Sequence, residues 1–242
     1  MSAFLGPIHY WLYNKIQLHE ILIEEIMELA NKNGYNTDNI LRDHQEITSD
    51  SHRPKPVKAS GFCPQEFEVI SKMILNESFK RYGAPVTGPL ENVIEHSNIH
   101  GWLQEKIISV EKRLAYVVTE LIKNNVVKKE EIAGIFNQNA KETMKELGVK
   151  DGSPQDFFTL IFDYMLEGMP CDRVNEIIEN NSTSITWKTT RCLHKDYWDE
   201  AGGDINNFYY FRESWINGFL GASGAGYRYE RTGDAVSIIR KV

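Results

Sequence analysis

The sequence predicts an α+β protein. A mostly helical body with an internal duplication occupies residues 1–182, and a small antiparallel sheet with a packed helix occupies 183–242, completing a pocket. Three observations predict this. Apolar residues recur at helical spacing through most of the body; a short motif appears twice, far apart; and the texture turns β-branched and aromatic after residue 182.

The first helix opens at Gly6-Pro7, because proline is well tolerated at a first helical position. Ile8, Trp11, Leu12, Ile16, His19, Ile23, Ile26 and Ala30 then share one broad apolar face. Gly34 in "NKNGYN" is the expected C-cap. The motif "IHYWLYNKI" at 8–16 returns as "IHGWLQEKI" at 99–107, with six of nine positions identical. In this second copy Ile99, Trp102, Leu103, Ile107, Val110, Leu114, Val117 and Leu121 form the apolar face, which closes on "KNNVV". Gly88-Pro89 starts a helix just before it, and Ser97 is the expected N-cap. Further matches keep order: "ELANKNGYNTDNI" (28–40) answers "ELIKNNVVKKEEI" (120–132), and "PQEFEVI" (64–70) answers "PQDFFTL" (154–160). We therefore expect two units, about 7–83 and 98–170. Each would hold a long helix, a turn, a shorter helix and a Pro-started helix, with Trp11 and Trp102 buried at equivalent places. The units differ most at 48–62, "TSDSHRPKPVKASGF", which reads as a loop. Beyond 182, "SITWKTTRCL" reads as a strand. "FYYFRESWINGFLGA" (208–222) is an amphipathic helix with Phe208, Phe211, Trp215 and Phe219 inward. "YRYERTGDAVSIIRKV" is a hairpin turning at Gly233-Asp234.

Composition narrows the function classes. At 242 residues, 41% hydrophobic and 25% charged, the chain reads as globular, with a core of useful size. It lacks an apolar run of about eighteen residues, so no membrane partner is expected, and its start lacks the pattern of a secretion signal. Three scattered cysteines (Cys63, Cys171, Cys192) make neither a disulfide framework nor a zinc ribbon, which points to a reducing, cytoplasmic setting. Residues 1–182 hold 19 Lys+Arg against 27 Asp+Glu, and 183–242 hold 8 against 7. An acidic body argues against a nucleic-acid partner. A homo-oligomer is compatible with the sequence.

Two constellations could carry chemistry. His96 and His100 are four apart, and His9 holds the place equivalent to His100 in the other unit. On one helix face, or across two packed units, these are metal-ligand spacings. An N-cap at Ser97 would break that geometry, so we expect no bound metal and no cofactor. His19, in the middle of an apolar face, reads as a hydrogen-bonded core histidine. The second constellation is "TTRCLHKDYW". On an extended strand Cys192, His194 and Asp196 share one face, with neighbours of like parity roughly 6.5–7 Å apart. A reactive thiolate needs a base or nearby positive charge, and His194, Arg191 and Lys195 can supply either after a bend near Lys195. Cys192, His194 and Asp196 are thus the catalytic candidates. Arg191 and Arg228 are candidate substrate anchors, with Trp215 and Tyr227 as aromatic walls. The competing reading is a half-buried cysteine, a surface histidine, and Asp196 capping a helical turn. No Gly-rich phosphate loop, H-E-x-x-H, G-x-S-x-G or CxxC is present.

"KRYGAPVTG" (80–88), "TTRCLHKDYW", "WINGFLGASG" and "TGDAVS", in that order, resemble the L-2-amino-thiazoline-4-carboxylic acid hydrolase-like family over roughly 65–88 and 183–242. The C-terminal part is also similar in outline to 4-vinyl-reductase-type small-molecule-binding domains. The resemblance implies that Cys192 is the cysteine after the first strand and Gly233-Asp234 the turn before a strand. The chain departs from the pattern at Ser237, where a later cysteine is expected, and at Tyr210 or Phe211 in the mid-helix cysteine region. "KKEEI" resembles helical segments of nitrile hydratases, but their cysteine-rich metal loop is missing. The expectation is an enzyme of hydrolase type acting on a C–N or C–S bond of a small acidic or heterocyclic substrate. Cys192 would be the nucleophile, His194 the base, and Arg191 or Arg228 the carboxylate anchor. The alternatives are a non-catalytic domain binding a small molecule in an aromatic pocket, and a helical interaction protein without a ligand.

Overall fold

A computed structural model describes residues 4–46, 64–233 and 235–242, with side chains described outside 34–67. The 48–62 segment, Cys63 and Asp234 lie outside the described residues.

Helix α1 (Pro7–Glu46) starts at the expected proline but does not stop at Gly34. At ~1.5 Å per residue it is about 60 Å long. A glycine ends a helix only where the chain turns; inside one it costs about 1 kcal/mol relative to alanine, which a long helix tolerates. Helices α2 (Pro64–Tyr82) and α6 (Pro154–Tyr164) both begin at a proline, as their aligned motifs predict. Between them come α3 (Leu90–Val93), α4 (Ile99–Lys123) and α5 (Lys129–Leu147). The N-cap of α4 is Asn98 rather than Ser97, its side chain accepting from the Gly101 amide at 3.2 Å. The segment 28–40 is uninterrupted helix, whereas its counterpart 120–132 contains a turn between α4 and α5. The two segments therefore do not share a helix order. Their tryptophans differ as well: Trp102 is buried, while Trp11 is half-buried and donates to Asp163 Oδ1 at 2.9 Å.

Central to the body is α4, on which every residue from Arg113 to Thr119 is buried. It packs against α1 and α2, while α5 lies along a later helix, Ile205–Ser223. Gly148 (φ 66°) caps α5 in the left-handed region, and Ser153 with Asp156 forms a reciprocal capping box on α6.

Four strands follow: β1 (Asn175–Asn180), β2 (Ser184–Thr189), β3 (Tyr227–Arg231) and β4 (Val236–Lys241), in antiparallel order β1-β2-β4-β3. Between β2 and β3 lie α7 (Lys195–Glu200) and α8 (Ile205–Ser223). The expected C-terminal hairpin is β3–β4. Strand β1 precedes the expected start of the sheet, and the 182/183 boundary falls in the β1–β2 turn. Ile185, Trp187, Tyr229, Ser237 and Ile239 are buried, as their shared parity requires. They face α6 and α8, whose Phe211, Trp215 and Phe219 are buried as expected. Among the described residues no helix is long and apolar enough to cross a membrane.

Candidate functional site

The helix-facing side of the sheet is the floor of a small pocket of about 20 Å³. Trp187 and Thr189 of β2, Ser237 of β4, and Tyr229 and Arg231 of β3 provide it. Phe208, Tyr209 and Arg212, on the first turns of α8, cover it. Cys192 and His194 close one side and Glu167, just after α6, another.

Strand β2 ends at Thr189, so Cys192, His194 and Asp196 do not alternate along a strand. The chain turns first: His194 is the N-cap residue of α7 and Asp196 lies in its first turn. This turn delivers Cys192 and His194 to the pocket and leaves Asp196 exposed. The carboxylate that orients His194 is Glu111, from the buried middle of α4. Its Oε1 is 2.8 Å from Nδ1, and both side chains are almost fully enclosed. The imidazole also stacks on Phe208, with ring centroids 4.0 Å apart. Since Nδ1 faces an acceptor carboxylate, it carries a proton, and Nε2 is the nitrogen left over. Nε2 has no hydrogen-bond partner and lies 4.0 Å from Glu167 Oε2. Glu167 is itself neutralised by a close ion pair with Arg212.

The thiol of Cys192 is half-buried and lines the pocket beside Tyr209. Burial and the neighbouring Cys192 sulfur push the Tyr209 phenol up to about 12, so it remains a neutral hydroxyl at physiological pH. Arg231 stacks on the Tyr209 ring, 3.6 Å from its centroid, and forms no ion pair among the described residues. A cation without a carboxylate partner at a pocket wall suits an anionic group. Ser237, where the resemblance leads one to expect a cysteine, instead bonds the Tyr229 hydroxyl at 3.0 Å.

The other sequence candidates go elsewhere. Arg191 is exposed and pairs with Asp172 at 3.4 Å; Arg228 is exposed and lies 3.7 Å from Glu230. Tyr227 bonds the Gly152 carbonyl at 3.1 Å and packs on Phe157, away from the pocket. Trp215 is fully buried and donates to Asn139 Oδ1 at 3.1 Å. It lines a second, apolar cavity of about 30 Å³. Arg231 rather than Arg228 reaches the site because adjacent strand residues point to opposite faces, and Tyr229 and Arg231 share the inner one. The histidines do not converge. His9 Nδ1 accepts from the Gly6 amide at 2.8 Å, His96 lies 3.3 Å from the Glu91 carbonyl, and His100 is exposed. Among the described residues no group of three or more His, Cys, Asp or Glu is placed to hold a metal ion.

Behind the pocket two basic residues of α1 are buried. Lys15 sits with its ammonium 3.4 Å from the Trp11 ring centroid, and burial lowers its pKa to about 7 against the pull of Asp163 and Glu167. His19 bonds the Lys15 carbonyl through Nδ1 at 2.8 Å, and burial lowers its pKa to about 4. It is the core histidine that its place on the apolar face predicts.

Sequence reasoning missed Glu111, Glu167, Tyr209, Arg212 and Arg231. Glu111 carried a signal, a carboxylate one helical turn after Ile107 on the face destined for the core. The chain matches no protein-family model, no curated protein and no solved structure.

Proposed function

We propose that the chain is a small-molecule enzyme of hydrolase type. It would cleave a C–N or C–S bond in a small acidic or heterocyclic substrate. The observation that carries this is the enclosed Glu111–His194 pair, whose imidazole lines a pocket together with Cys192 and keeps an unpartnered Nε2. A carboxylate-oriented imidazole is the arrangement a thiol nucleophile needs. In the step envisaged, His194 Nε2 takes the Cys192 proton and sulfur attacks the electrophilic carbon. The departing nitrogen or sulfur takes that proton. Water then releases the product from Cys192, its proton returning through His194 to the thiolate, so one water is consumed per bond cleaved. Arg231, rather than Arg191 or Arg228, would anchor the substrate's carboxylate. A reducing, cytoplasmic setting would keep the thiol free.

Alkylation of the three cysteines by iodoacetamide, followed by peptide mass spectrometry, tests the assignment. Cys192 should be trapped faster than Cys63 and the exposed Cys171, and His194→Ala or Glu111→Gln should slow it alone. If Cys192 is the slowest of the three and indifferent to His194, the nucleophile is wrong. A second reading, a non-catalytic binder, is favoured by the apolar cavity that meets this pocket at Phe208 and Arg212. It predicts stabilisation by ligand with an inert thiol.

A further inference from the structure

We infer that the cleft between α1 and α2, with Arg113 of α4 in its wall, is a binding site for a small primary amine carrying an apolar body. It shares no lining residue with the Cys192 pocket.

Size comes first. The cleft measures about 290 Å³, against about 20 Å³ at Cys192 and about 30 Å³ at Trp215. That is room for one ring and a short chain, near the low end of small-molecule sites. Its apolar lining is Ile23 and Met27 of α1, Leu75 and Phe79 of α2, and Pro85 just beyond. The first two are buried and the other three half-buried, so an apolar guest leaves water by seating there.

Charge selects the guest. Glu24, Glu28 and Asn31 line the same cleft and stand at i, i+4 and i+7, along one side of α1. Glu24 makes no ion pair among the described residues. Glu28 meets Lys32 at 4.0 Å, with both side chains largely exposed, and such a pair holds its members weakly. The remaining carboxylate, Glu20, is committed to Arg113 and neutralises it. The lining is therefore acidic. Two of its polar atoms are buried without a partner, Oδ1 of Asn31 and Nε of Arg113, on an arginine 2% exposed. Native interiors seldom leave such atoms unpaired, and here two occur at one cleft. A primary ammonium brings three donors and no acceptor, which complements Glu24, Glu28 and the Asn31 oxygen; a carboxylate would meet like charge.

The test uses the full chain with carbon-13 at its six methionine methyls, the Met27 signal being identified with Met27→Leu. 2-Phenylethylamine should shift that signal saturably and bind about tenfold more tightly than 2-phenylethanol, the lower end of what a hydrogen bond to a charged group contributes. 3-Phenylpropionate should bind more weakly than either. Glu24→Gln with Glu28→Gln should remove the preference for the amine, and Leu75→Trp, by filling the cleft, should exclude amine and alcohol alike. Both glutamates are exposed, so the charge variant should fold; if Leu75→Trp does not, the three wild-type titrations still decide. Equal affinity for amine and alcohol, a preference that survives the double variant, or no saturable shift at Met27 overturns the proposal.

Discussion

Replacing Lys15 by methionine should stabilise the protein, and by an amount that depends steeply on pH. Lys15 is 4% exposed, makes no ion pair among the described residues, and rests on the Trp11 ring. Its pKa falls from 10.5 to about 7, with burial the largest cause. Below pH 7 the lysine is charged in both folded and unfolded states, and the folded state bears the full penalty of the enclosed charge. Between pH 7 and 10.5 the unfolded chain holds the proton and the folded one does not, so stability rises with pH. Above 10.5 both are neutral and the penalty is gone. At about 1.4 kcal/mol per pH unit the whole span corresponds to about 5 kcal/mol. The cation–π contact, worth about 1–2 kcal/mol where desolvated, offsets part of this. Methionine has a similar reach without the charge. Urea unfolding of both proteins at pH 6, 8 and 10.5 should therefore show the variant more stable by about 3–5 kcal/mol at pH 6, narrowing to under about 1 kcal/mol at 10.5. A difference that stays constant across that range would refute the reasoning, because a packing effect does not titrate.

Acid should act through His19 in the opposite window. Its folded pKa of about 4 lies below the ordinary 6.5, so stability present above 6.5 should be lost by about 3 kcal/mol as pH falls to 4. Denaturant unfolding of wild type and His19→Gln should show that this slope belongs to the histidine. Arg113, 2% exposed, holds Glu20 through both carboxylate oxygens. Arg113→Met should cost about 3–5 kcal/mol by stranding the carboxylate, and Glu20→Leu in the same chain should restore most of it; equal instability of the single and double variants would count against a buried pair. Trp102→Ala should cost about 3–5 kcal/mol, and Trp11→Ala clearly less, as chemical denaturation can show, because only Trp102 is enclosed.

What was legible in the sequence follows from where periodicity meets burial. Phe208, Phe211, Trp215 and Phe219 announce α8 because a helix buries one stripe, and "TGD" between two β-rich runs announces the last hairpin. Strand β1, "NEIIEN", was not legible. It is almost wholly exposed, so no alternation marks it, and it is a strand because its backbone pairs with β2. Gly34 misled because the same residue that ends a helix can also lie inside one. At the site, Cys192 and His194 were found because they are close in sequence. Asp196 shares their parity on an extended strand with a bend near Lys195, but the turn into α7 sends it to solvent. Glu111 and Arg231 are 83 residues before and 37 after His194, and only the packing of α4 beside α7 and of β3 beside α8 brings them in.

That separation has a consequence for how such a site can change over generations. Glu111 belongs to the helical body, His194 to the segment after the β1–β2 turn, and the contact between them holds His194 at the pocket wall. A crossover at 182/183 between two relatives would hand each offspring half of a matched pair. Unless both parents agreed at Glu111 and at His194, the hybrids would inherit a lone carboxylate or a lone imidazole. Lineages carrying this site should therefore exchange the whole span from α4 to β4 as one block, and chimaeras cut inside it should lose the Glu111–His194 contact even where both halves fold.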